Sequence, residues 1–459
     1  MATVINSKLG ENRGKKRIWL EGRTLQREGY ESGMKYDVKL EQSKVTLIPT
    51  PQGKYTISKR TKQDEILPII DVCLAELAEI FQGVEMLRIQ LTKGKIIVTA
   101  HFSHDKKQRR EERLRQKILK GTALDVASFF HGGGVLDRSV HTGLQDCHIQ
   151  SRIAVCNEIE PKYLEQSLKV NASMFDAESI IIQSPIELID RTKQPNEVDF
   201  LIAGIPCTGA SKAGRSKNKL EFAESHDAAG ACFFSTLAMI DVLNPGCCVL
   251  ENVGPYQNTA SMEVIRSVLK SMGYQLHEAI LDGSDFGCLE RRKRLCVVAL
   301  SDGIDEFSFE NLKPVKTKES AIKDILEDIP LDSERYRSFD YLAKKEEADI
   351  KAGKGFRRQL LTGEEDGCGV LTKDYAKCRS TDPYFVHPTN DKLSRLFTPI
   401  EHCRVKGVPE SMINGLSDTV AHQILGQSVC FPVFQSVARA VGDLINRWAF
   451  NSNSLAQAA

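Results

Sequence analysis

Hydrophobic positions recur with two different periods along the chain, and the change between them predicts two kinds of structure. In the first hundred residues, short apolar runs with the length of strands occupy residues 17–20, 45–48, 87–91 and 96–100. Residues 66–81 instead carry apolar side chains at helical spacing. The pattern predicts a small α+β module over residues 1–104.

After Gly121 the chain alternates between short apolar strands and helical patterns. The predicted strands occupy residues 123–127, 153–156, 180–182, 200–203, 248–250 and 295–300. Helical spacing follows at residues 221–243 and 262–272, and the apolar face of a last helix runs from Phe434 to Ile445. This alternation predicts an α/β fold with a doubly wound, mostly parallel, Rossmann-like sheet.

Breaks in the pattern set the expected domain boundaries. Residues 105–121 are a charged run that favours a solvated helical linker, with a phosphate-contacting arm as the alternative. Residues 303–392 lose the alternation and resemble a separate, irregular domain inserted into the α/β domain. That α/β domain is expected over residues 122–302 and 393–447, and residues 448–459 are expected to form a frayed tail.

Composition narrows the class of protein. The 459 residues are 41% hydrophobic and 27% charged, as in ordinary soluble globular proteins. The apolar runs are far shorter than the ~20 residues of a membrane span, and the amino terminus lacks the apolar stretch of a secretory signal. The 13 cysteines include no CxxC spacing, which favours reduced thiols over disulfides or zinc. A cytoplasmic protein without a membrane or metal partner is expected.

The formal net charge of +1 conceals an asymmetry. The first 120 residues hold 25 Lys and Arg against 15 Asp and Glu, and the remainder holds 37 against 46. A polyanion-binding function must therefore use the amino-terminal region or local basic clusters.

Two strand ends carry side chains suited to a cofactor. The first α/β strand leads into a glycine-rich turn at residues 131–134, where a missing side chain lets the backbone approach a ligand. The second strand ends near Glu158, where an acidic residue can bind a ribose diol. Together they suggest an adenosine-containing cofactor, although a glycine-rich turn alone is often only a tight turn.

Later strand ends carry side chains suited to catalysis. Pro206 and Cys207 follow the fourth strand, where a thiolate can serve as a nucleophile. A lone cysteine is more often a small buried hydrophobe. However, Glu251 ends the fifth strand, and an arginine-rich segment at residues 290–294 precedes the next one. A thiol, a carboxyl group and paired arginines at successive strand ends are not explained by packing.

Seven segments resemble, in order, the motifs of the DNA cytosine-5 methyltransferase family. They are LDVASFFHGGG, NEIE, GIPCTGAS, LENV, FGCLERRKRLCVVAL, RLFTPIEHCRVKGVPE and LGQSVCFPVF. The resemblance extends from Asp125 to Arg447 and implies a methyltransferase fold whose inserted residues 303–392 form a target recognition domain.

The resemblance implies methyl transfer from S-adenosylmethionine to C5 of a cytosine flipped out of double-stranded DNA. Cys207 is expected to attack C6, Glu251 to assist at N3 and Arg294 to hold O2. Arg292 is expected to orient the catalytic loop. The expected cofactor-binding residues are Asp125, Phe129, Phe130, Gly132, Gly133, Glu158, Ser184, Pro206, Gln427 and Ser428. The expected DNA-binding residues are Ser211, Lys212, Arg215, Lys217, Lys219 and Arg404.

The sequence departs from the family pattern at several positions. The cofactor loop has phenylalanine where the family usually has glycine, and the family's Gly-Asp-Ile is replaced by Gln-Ser-Pro around Ser184. The usual glutamine and asparagine residues of three other motifs are replaced by Thr208, Glu290 and Gln427. None of these changes removes a reacting group.

The amino-terminal stretch from Arg17 to Leu40 resembles the SymE/AbrB-like swapped-hairpin domains, which bind DNA or RNA. The resemblance implies that residues 1–104 bind nucleic acid or dimerise. A cognate restriction endonuclease is a further partner if the enzyme belongs to a restriction-modification system.

Three other functions compete with DNA methylation. A tRNA cytosine-5 methyltransferase would carry the same motifs, but the recognition domain of about ninety residues favours duplex DNA. A DNA-binding regulator with a vestigial methyltransferase domain conflicts with the intact Cys207, Glu251 and Arg294. A nicotinamide oxidoreductase does not explain the cysteine and glutamate.

Overall fold

The structure is a computed structural model that describes residues 2–62, 65–193, 197–206, 231–353 and 357–457. The chain divides into two compact units, residues 1–109 and 110–459. Within the described ranges no single helix is long and apolar enough to cross a membrane. One bent pair, Asp418–Gln427 with Phe431–Asn451, meets that criterion by length and composition only.

The first unit is built mainly from strands. Its strands are β1 (Thr3–Lys8), β2 (Gly10–Asn12), β3 (Lys15–Glu21), β4 (Lys35–Glu41), β5 (Lys44–Pro49), β6 (Tyr55–Thr56), β7 (Ser58–Lys62), β8 (Glu65–Cys73), β9 (Met86–Thr92) and β10 (Lys95–Ala100). Two short helices are α1 (Arg23–Arg27) and α2 (Leu77–Ile80). The strands form a six-stranded sheet, β1-β9-β10-β5-β4-β6, and a four-stranded sheet, β2-β3-β8-β7. Alternate side chains from the two sheets, such as Ile18 and Val98, share one buried core, as expected for period-2 patterning.

The first unit contains an internal repeat. Strand β3, helix α1 and the β4–β5 hairpin are followed later by the same order in β8, α2 and the β9–β10 hairpin. The hairpins also share their register, because Tyr36 pairs with Pro49 and Leu87 with Ala100, 51 residues later in each strand. The repeats pair with each other through β3–β8 and β5–β10, both antiparallel. Each repeat therefore supplies the strand partners that the other lacks.

The helix predicted over residues 66–81 is wrong. Residues 65–73 form β8, and only Leu77–Ile80 is helical. Apolar side chains with helical spacing also fit a strand whose inner face is buried, and Pro68 at its centre disfavours a helix. The predicted pairing of residues 87–91 with 96–100 is confirmed.

The second unit contains the α/β sheet. Its strands are β11 (Leu124–Phe129), β12 (Ser151–Asn157), β13 (Ile180–Ile182), β14 (Phe200–Gly204), β15 (Cys247–Val253), β16 (Tyr274–Asp282) and β17 (Lys293–Ser301). Their order is β13-β12-β11-β14-β15-β17-β16. The pairs up to β14–β15 are parallel, whereas β17 is antiparallel to β15 and β16. The six predicted strands are confirmed, and the edge strand β16 was not predicted.

Helices cover both faces of this sheet. They include α3 (Phe102–Lys120), which begins in the first unit, then α4 (Val135–Gln145), α5 (Pro161–Val170), α6 (Cys232–Leu243) and α7 (Ala260–Ser271). Along β14, Phe200 and Ile202 face one core while Leu201 and Ala203 face the other. Burial on both faces explains why these strands are continuous apolar runs.

The expected solvated linker is wrong for residues 110–120, because this part of α3 packs on the second unit. Arg110 and Leu114 are buried, and the Arg110 guanidinium lies 3.8 Å from the centre of the Tyr274 ring. Arg113 and Lys117 form ion pairs of 3.0 and 2.6 Å with the buried Asp199. Arg113 and Lys117, whose charges suggested a solvated helix face, therefore form ion pairs with a buried carboxylate.

The predicted recognition segment forms a small sheet of its own. Helix α8 (Asp340–Lys351) accompanies β18 (Arg337–Ser338), β19 (Gln359–Leu361), β20 (Pro383–His387) and β21 (Asn390–Arg395), ordered β18-β21-β20-β19. The core of this segment includes Leu289 and Val405 from the flanking chain. The inserted segment is therefore packed onto the α/β part.

Three helices complete the second unit: α9 (Pro399–Lys406), α10 (Asp418–Gln427) and α11 (Phe431–Gln457). The tail predicted from residue 448 is wrong at its start, because α11 continues through it. Trp448 is buried, and its indole Nε1 donates a hydrogen bond of 2.6 Å to the carbonyl of Gly303. Because this aromatic ring is buried, the helix continues beyond Ile445, where its predicted apolar face ends.

Candidate active site

Two adjacent parallel strands bring the predicted catalytic segments together. Gly204 at the end of β14 pairs with Glu251 on β15. The Asn252 amide donates a hydrogen bond of 3.2 Å to the carbonyl of Ile205, which holds the segment leading to Pro206. Cys207 is the next residue in the sequence and lies outside the described residues, as do Ser211, Lys212, Arg215, Lys217 and Lys219.

Glu251 is held by Arg294, one of the arginines that the sequence analysis placed at the next strand end. Its Oε1 lies 2.9 Å from Nε of Arg294 on β17, and both side chains are about 15% exposed. Burial raises the pKa of Glu251, while the charges of Arg294, Arg292 and Lys406 oppose that increase. The carboxyl group therefore retains a proton at higher pH than glutamate in water does, which suits it to donate a hydrogen bond.

Arg292, two residues before Arg294 in the sequence, lies in a buried polar cluster. Its Nη1 is 3.4 Å from Oε1 of Glu290, and its Nη2 donates a hydrogen bond of 3.0 Å to the carbonyl of Gly426. The other Glu290 oxygen, Oε2, is 2.6 Å from Nζ of Lys406. Arg292 was expected to orient the Cys207 region, but its described contacts are with Glu290 and the end of α10.

The predicted cofactor loop and the end of β12 are joined by one carboxylate. The Gly132 amide donates a hydrogen bond of 2.6 Å to Oε2 of Glu158. Oε1 of Glu158 accepts hydrogen bonds from the amides of Ile159 and Glu160, at 3.0 and 2.9 Å. Positive φ angles at Phe130 (57°) and Gly132 (57°) produce the sharp turn after β11.

The remaining predicted cofactor residues lie around the same edge. A Cβ atom at Gly132 would be 3.6 Å from Nε2 of Gln427, so these two residues are adjacent. The hydroxyl of Ser428, the next residue, donates to the carbonyl of Leu425 at 2.7 Å. Ser184 follows β13, and its carbonyl accepts a hydrogen bond of 2.8 Å from Asn157. Close packing also surrounds Gly133, where a Cβ would contact Ile424.

Two predicted cofactor residues are corrected by their positions. Asp125 is the second residue of β11, at the opposite end of the strand from the glycine-rich turn, and forms ion pairs with Lys117 and Arg152 at 2.6 and 2.7 Å. Ligands of open α/β sheets bind at the carboxyl ends of the strands, so Asp125 is a structural residue. Phe129 is 1% exposed within the apolar core, which leaves Phe130 as the aromatic residue at the turn.

The sequence analysis missed a buried histidine below the cofactor loop. Nδ1 of His131 is 3.0 Å from Asp137, and Nε2 is 2.6 Å from the Ser167 hydroxyl. Burial lowers the pKa of His131, but the charges of Asp137 and Cys156 and the hydrogen bonds to them together outweigh burial, so the pKa is raised well above its usual value. Through Asp137 and Ser167, His131 anchors the cofactor loop on α4 and α5. The packing there is close, because a Cβ at Gly134 would overlap the Ser167 side chain. The spacing of Asp137 six residues after His131 gave no signal of this contact.

Arg404 was predicted to bind DNA. Its Nε forms an ion pair of 2.7 Å with Glu410, and its Nη1 donates a hydrogen bond of 3.1 Å to the carbonyl of Ile325. The side chain is 36% exposed. These contacts give Arg404 a structural role in joining α9 to the recognition segment.

The sequence that builds this site also matches a known family. Residues 125–443 match the family model described as C-5 cytosine-specific DNA methylase. The chain belongs to the C-5 cytosine-specific DNA methylase family. The match includes every predicted catalytic and cofactor residue of this methylase, and the family resemblance inferred from the motifs is confirmed.

Curated relatives support the same assignment. The methylase is 28% identical over 271 residues to the type II methyltransferase M1.ScrFI of Lactococcus lactis subsp. cremoris, covering 57% of this chain and 66% of the relative. It is also 28% identical over 306 residues to the type II methyltransferase M.NlaX of Neisseria lactamica, covering 65% of this chain and 91% of the relative.

Solved structures confirm the predicted fold. The Dnmt2 methyltransferase of S. pombe aligns with a TM-score of 0.53 at 17% identity, covering 72% of this chain and all of that one. The Entamoeba histolytica methyltransferase EhMeth aligns with a TM-score of 0.54 at 20% identity, covering 70% and 99%. Membership of the methylase family implies S-adenosylmethionine as the methyl donor. In the described part of the chain, no group of three or more histidine, cysteine or acidic residues could hold a metal ion.

Proposed function

We propose that this protein transfers a methyl group to C5 of a flipped-out cytosine in double-stranded DNA, with Cys207 as the nucleophile. The observation that supports the proposal most strongly is the ion pair between Glu251, on the strand beside the segment that leads to Pro206, and Arg294 on β17. A hydrogen-bonding carboxyl group and a guanidinium are thereby adjacent to the segment that leads into Cys207. These are the groups needed to hold N3 and O2 of a cytosine.

The chemistry follows from the low reactivity of cytosine C5. The Cys207 thiolate forms a bond to C6, and the electron pair of the C5–C6 double bond moves to C5, which becomes nucleophilic. After C5 is methylated, loss of the C5 proton and cleavage of the sulfur–C6 bond restore the double bond and the thiolate.

Glu251 and Arg294 assist the addition step. When the thiolate adds to C6, negative charge develops on the pyrimidine ring at N3 and O2. A protonated Glu251 donates a hydrogen bond to N3, and Arg294 donates to O2. Because burial raises the pKa of Glu251, the protonated form is available closer to neutral pH.

The residues at the carboxyl edge of the sheet fit the methyl donor. Gly132 exposes backbone at the turn, Glu158 lies at the end of β12 and Phe130 offers an aromatic side chain beside them. These three residues, with Ser184 and Gln427, would hold the donor. When bound, S-adenosylmethionine supplies an electrophilic methyl group. No metal ion is required by these steps.

DNA is the proposed substrate because the matched family model is that of DNA methylases. Bases inside a duplex are stacked, so the target cytosine must be flipped out before Cys207 can reach C6. The small sheet of residues 337–395 is proposed to select the sequence. The basic residues Lys212, Arg215, Lys217 and Lys219 are proposed to contact phosphates near the flipped base.

The proposal is tested by measuring transfer of a tritiated methyl group to duplex DNA and, separately, to tRNA. Cys207→Ser should abolish transfer to DNA while leaving donor binding nearly unchanged. Cys73→Ser, a cysteine substitution in the first unit, is the matched control and should keep wild-type activity. Duplex DNA with 5-fluorocytosine should trap the wild-type protein covalently, because fluorine replaces the departing C5 proton.

Each alternative predicts a different result. Transfer to tRNA but not to DNA would identify an RNA methyltransferase. Sequence-specific DNA binding without transfer to either substrate would identify a regulator. Covalent trapping of the Cys207→Ser variant would show that Cys207 is not the nucleophile.

A further inference from the structure

A fully buried ion pair lies at the meeting point of four chain segments. Glu290 and Lys406 are both 0% exposed, and Nζ of Lys406 is 2.6 Å from Oε2 of Glu290. The other oxygen of Glu290 accepts a hydrogen bond of 2.9 Å from the amide of Leu371, in the recognition segment. Arg292 contacts the same oxygen at 3.4 Å and also the carbonyl of Gly426. The single carboxylate of Glu290 therefore neutralises part of the positive charge of Lys406 and Arg292.

This cluster connects the recognition segment to the proposed catalytic groups. Residues 289–291 and Cys368 exchange backbone hydrogen bonds, and the carbonyl of Val405 accepts from both Leu289 and Glu290. Two residues beyond Arg292, Arg294 contacts Glu251. The family usually has glutamine at the position of Glu290, so the buried charge distinguishes this chain from the family pattern.

The charges of the cluster affect the pKa of Glu251. Among the described residues, the charges that act most strongly on Glu251 are those of Arg294, Arg292 and Lys406, and the Cys296 thiol of β17 also interacts with its charge. Burial raises the pKa of Glu290, but Lys406 and Arg292 outweigh it and the pKa is lowered, so Glu290 stays ionised. The negative charge of Glu290 offsets the positive charges of Lys406 and Arg292, which oppose protonation of Glu251.

We propose that Glu290 and Lys406 are a positioning pair that holds Arg292 in place and sets the net positive charge facing Glu251 at the target base. The inference rests on the proposed role of Glu251 as a hydrogen-bond donor. Neither residue touches the substrate, and both act through their neighbours. The Leu371 contact makes the position of the recognition segment part of the same arrangement.

The charge effect predicts opposite shifts in the pH profile of kcat. Glu290→Gln leaves Lys406 and Arg292 uncompensated, which favours ionised Glu251 and moves the alkaline limb to lower pH. Lys406→Gln removes a cation, favours protonated Glu251 and moves that limb to higher pH. A charge in direct contact shifts a pKa by about 1–3 units, so these more distant charges should shift the limb by roughly half a unit.

Two further variants separate this effect from loss of folding. Lys406→Gln leaves a buried carboxylate with one partner fewer and should destabilise the protein, whereas the double variant Glu290→Gln with Lys406→Gln replaces the ion pair by two amides. The double variant should restore both the wild-type limb and most of the lost stability. Glu401→Gln is the matched control, because it alters another buried pair, with Arg395, that does not face Glu251.

The experiment is a pH profile of kcat, with a thermal unfolding midpoint, for the full-length chain and these variants. Opposite shifts that cancel in the double variant, with no shift in Glu401→Gln, would support the inference. Shifts in one direction for both single variants, or none, would overturn it. If Glu251→Ala itself retained the wild-type rate, the proposed function of Glu251 would fail instead.

Discussion

Glu251 is the residue whose environment most directly determines its chemistry. It is largely buried, paired with Arg294 at 2.9 Å, and has a raised pKa because burial outweighs the surrounding positive charge. The order of motifs predicted that both residues lie at strand ends, but not that they form an ion pair with each other. The contribution of Lys406 could not be predicted either, because Lys406 is held by Glu290, and a contact between residues 116 positions apart has no local sequence signal.

Substitutions at Glu251 should separate hydrogen bonding from proton donation. Glu251→Gln retains one donor and should lose less activity than Glu251→Ala, for which a loss of about 10²–10⁴ in rate is expected. The wild-type rate should fall as pH rises through the raised pKa of Glu251, and this limb should be absent in Glu251→Gln. The measurement is kcat against pH for the three proteins. Equal, near-wild-type rates in both variants would exclude the role.

At the level of elements, the inner α/β strands were predictable because burial on both faces makes each one a continuous apolar run, and the edge strand β13 was predictable from its three isoleucines although two of them are exposed. The edge strand β16 was not, since its middle residues are only half-buried and include Gln275, His277 and Glu278. In α3, the buried Arg110 and Leu114 were hidden within a charged run, because the Tyr274 ring beneath Arg110 and the groups that accept its hydrogen bonds come from distant segments. The hydrophobic pattern therefore identifies strands that form apolar runs better than half-buried strands with polar residues.

A close approach between two elements gives a prediction about stability. Gly426 in α10 lies against the backbone of Thr372, and a Cβ there would overlap the Thr372 carbonyl oxygen. Gly426→Ala should cost about 1–3 kcal/mol from overpacking, despite the better helix propensity of alanine. The free energy of unfolding in urea measures this. Gly94→Ala is the control, because no atom lies within 4 Å of its Cβ, and equal stability of the two variants would contradict the proposed close packing.

At the level of the whole molecule, the first unit combines an internal repeat with an excess of positive charge. Its two repeats pair through β3–β8 and β5–β10, so its sheets are completed within one chain and do not require dimerisation. Residues 1–109 hold 20 Lys and Arg against 13 Asp and Glu. The repeat was not recognised in the sequence, because it is a repeat of strand order and register more than of residue identity. The resemblance to SymE/AbrB-like domains stays a prediction.

Deletion of residues 1–109 tests what the first unit contributes. We expect weaker DNA binding and a flatter dependence on salt, because phosphate contacts that release counterions are lost, while the methylated cytosine stays the same. The deletion should end at residue 109, since Arg110 and Leu114 are buried in the second unit. Dissociation constants at several salt concentrations and mapping of the methylated site provide the measurements. A changed target site would show that the unit reads bases, and an unchanged salt slope would show that it does not contact DNA.

The central claim is that the chain methylates C5 of cytosine in DNA through Cys207. Bisulfite sequencing of the genome of a host that lacks its own cytosine methylation tests it most directly. Expression of the wild-type chain should protect cytosines from conversion at one recurring sequence, and expression of Cys207→Ser should leave every cytosine convertible. Complete conversion in the host that expresses the folded wild-type protein, or the same protected sites with Cys207→Ser, would contradict the account.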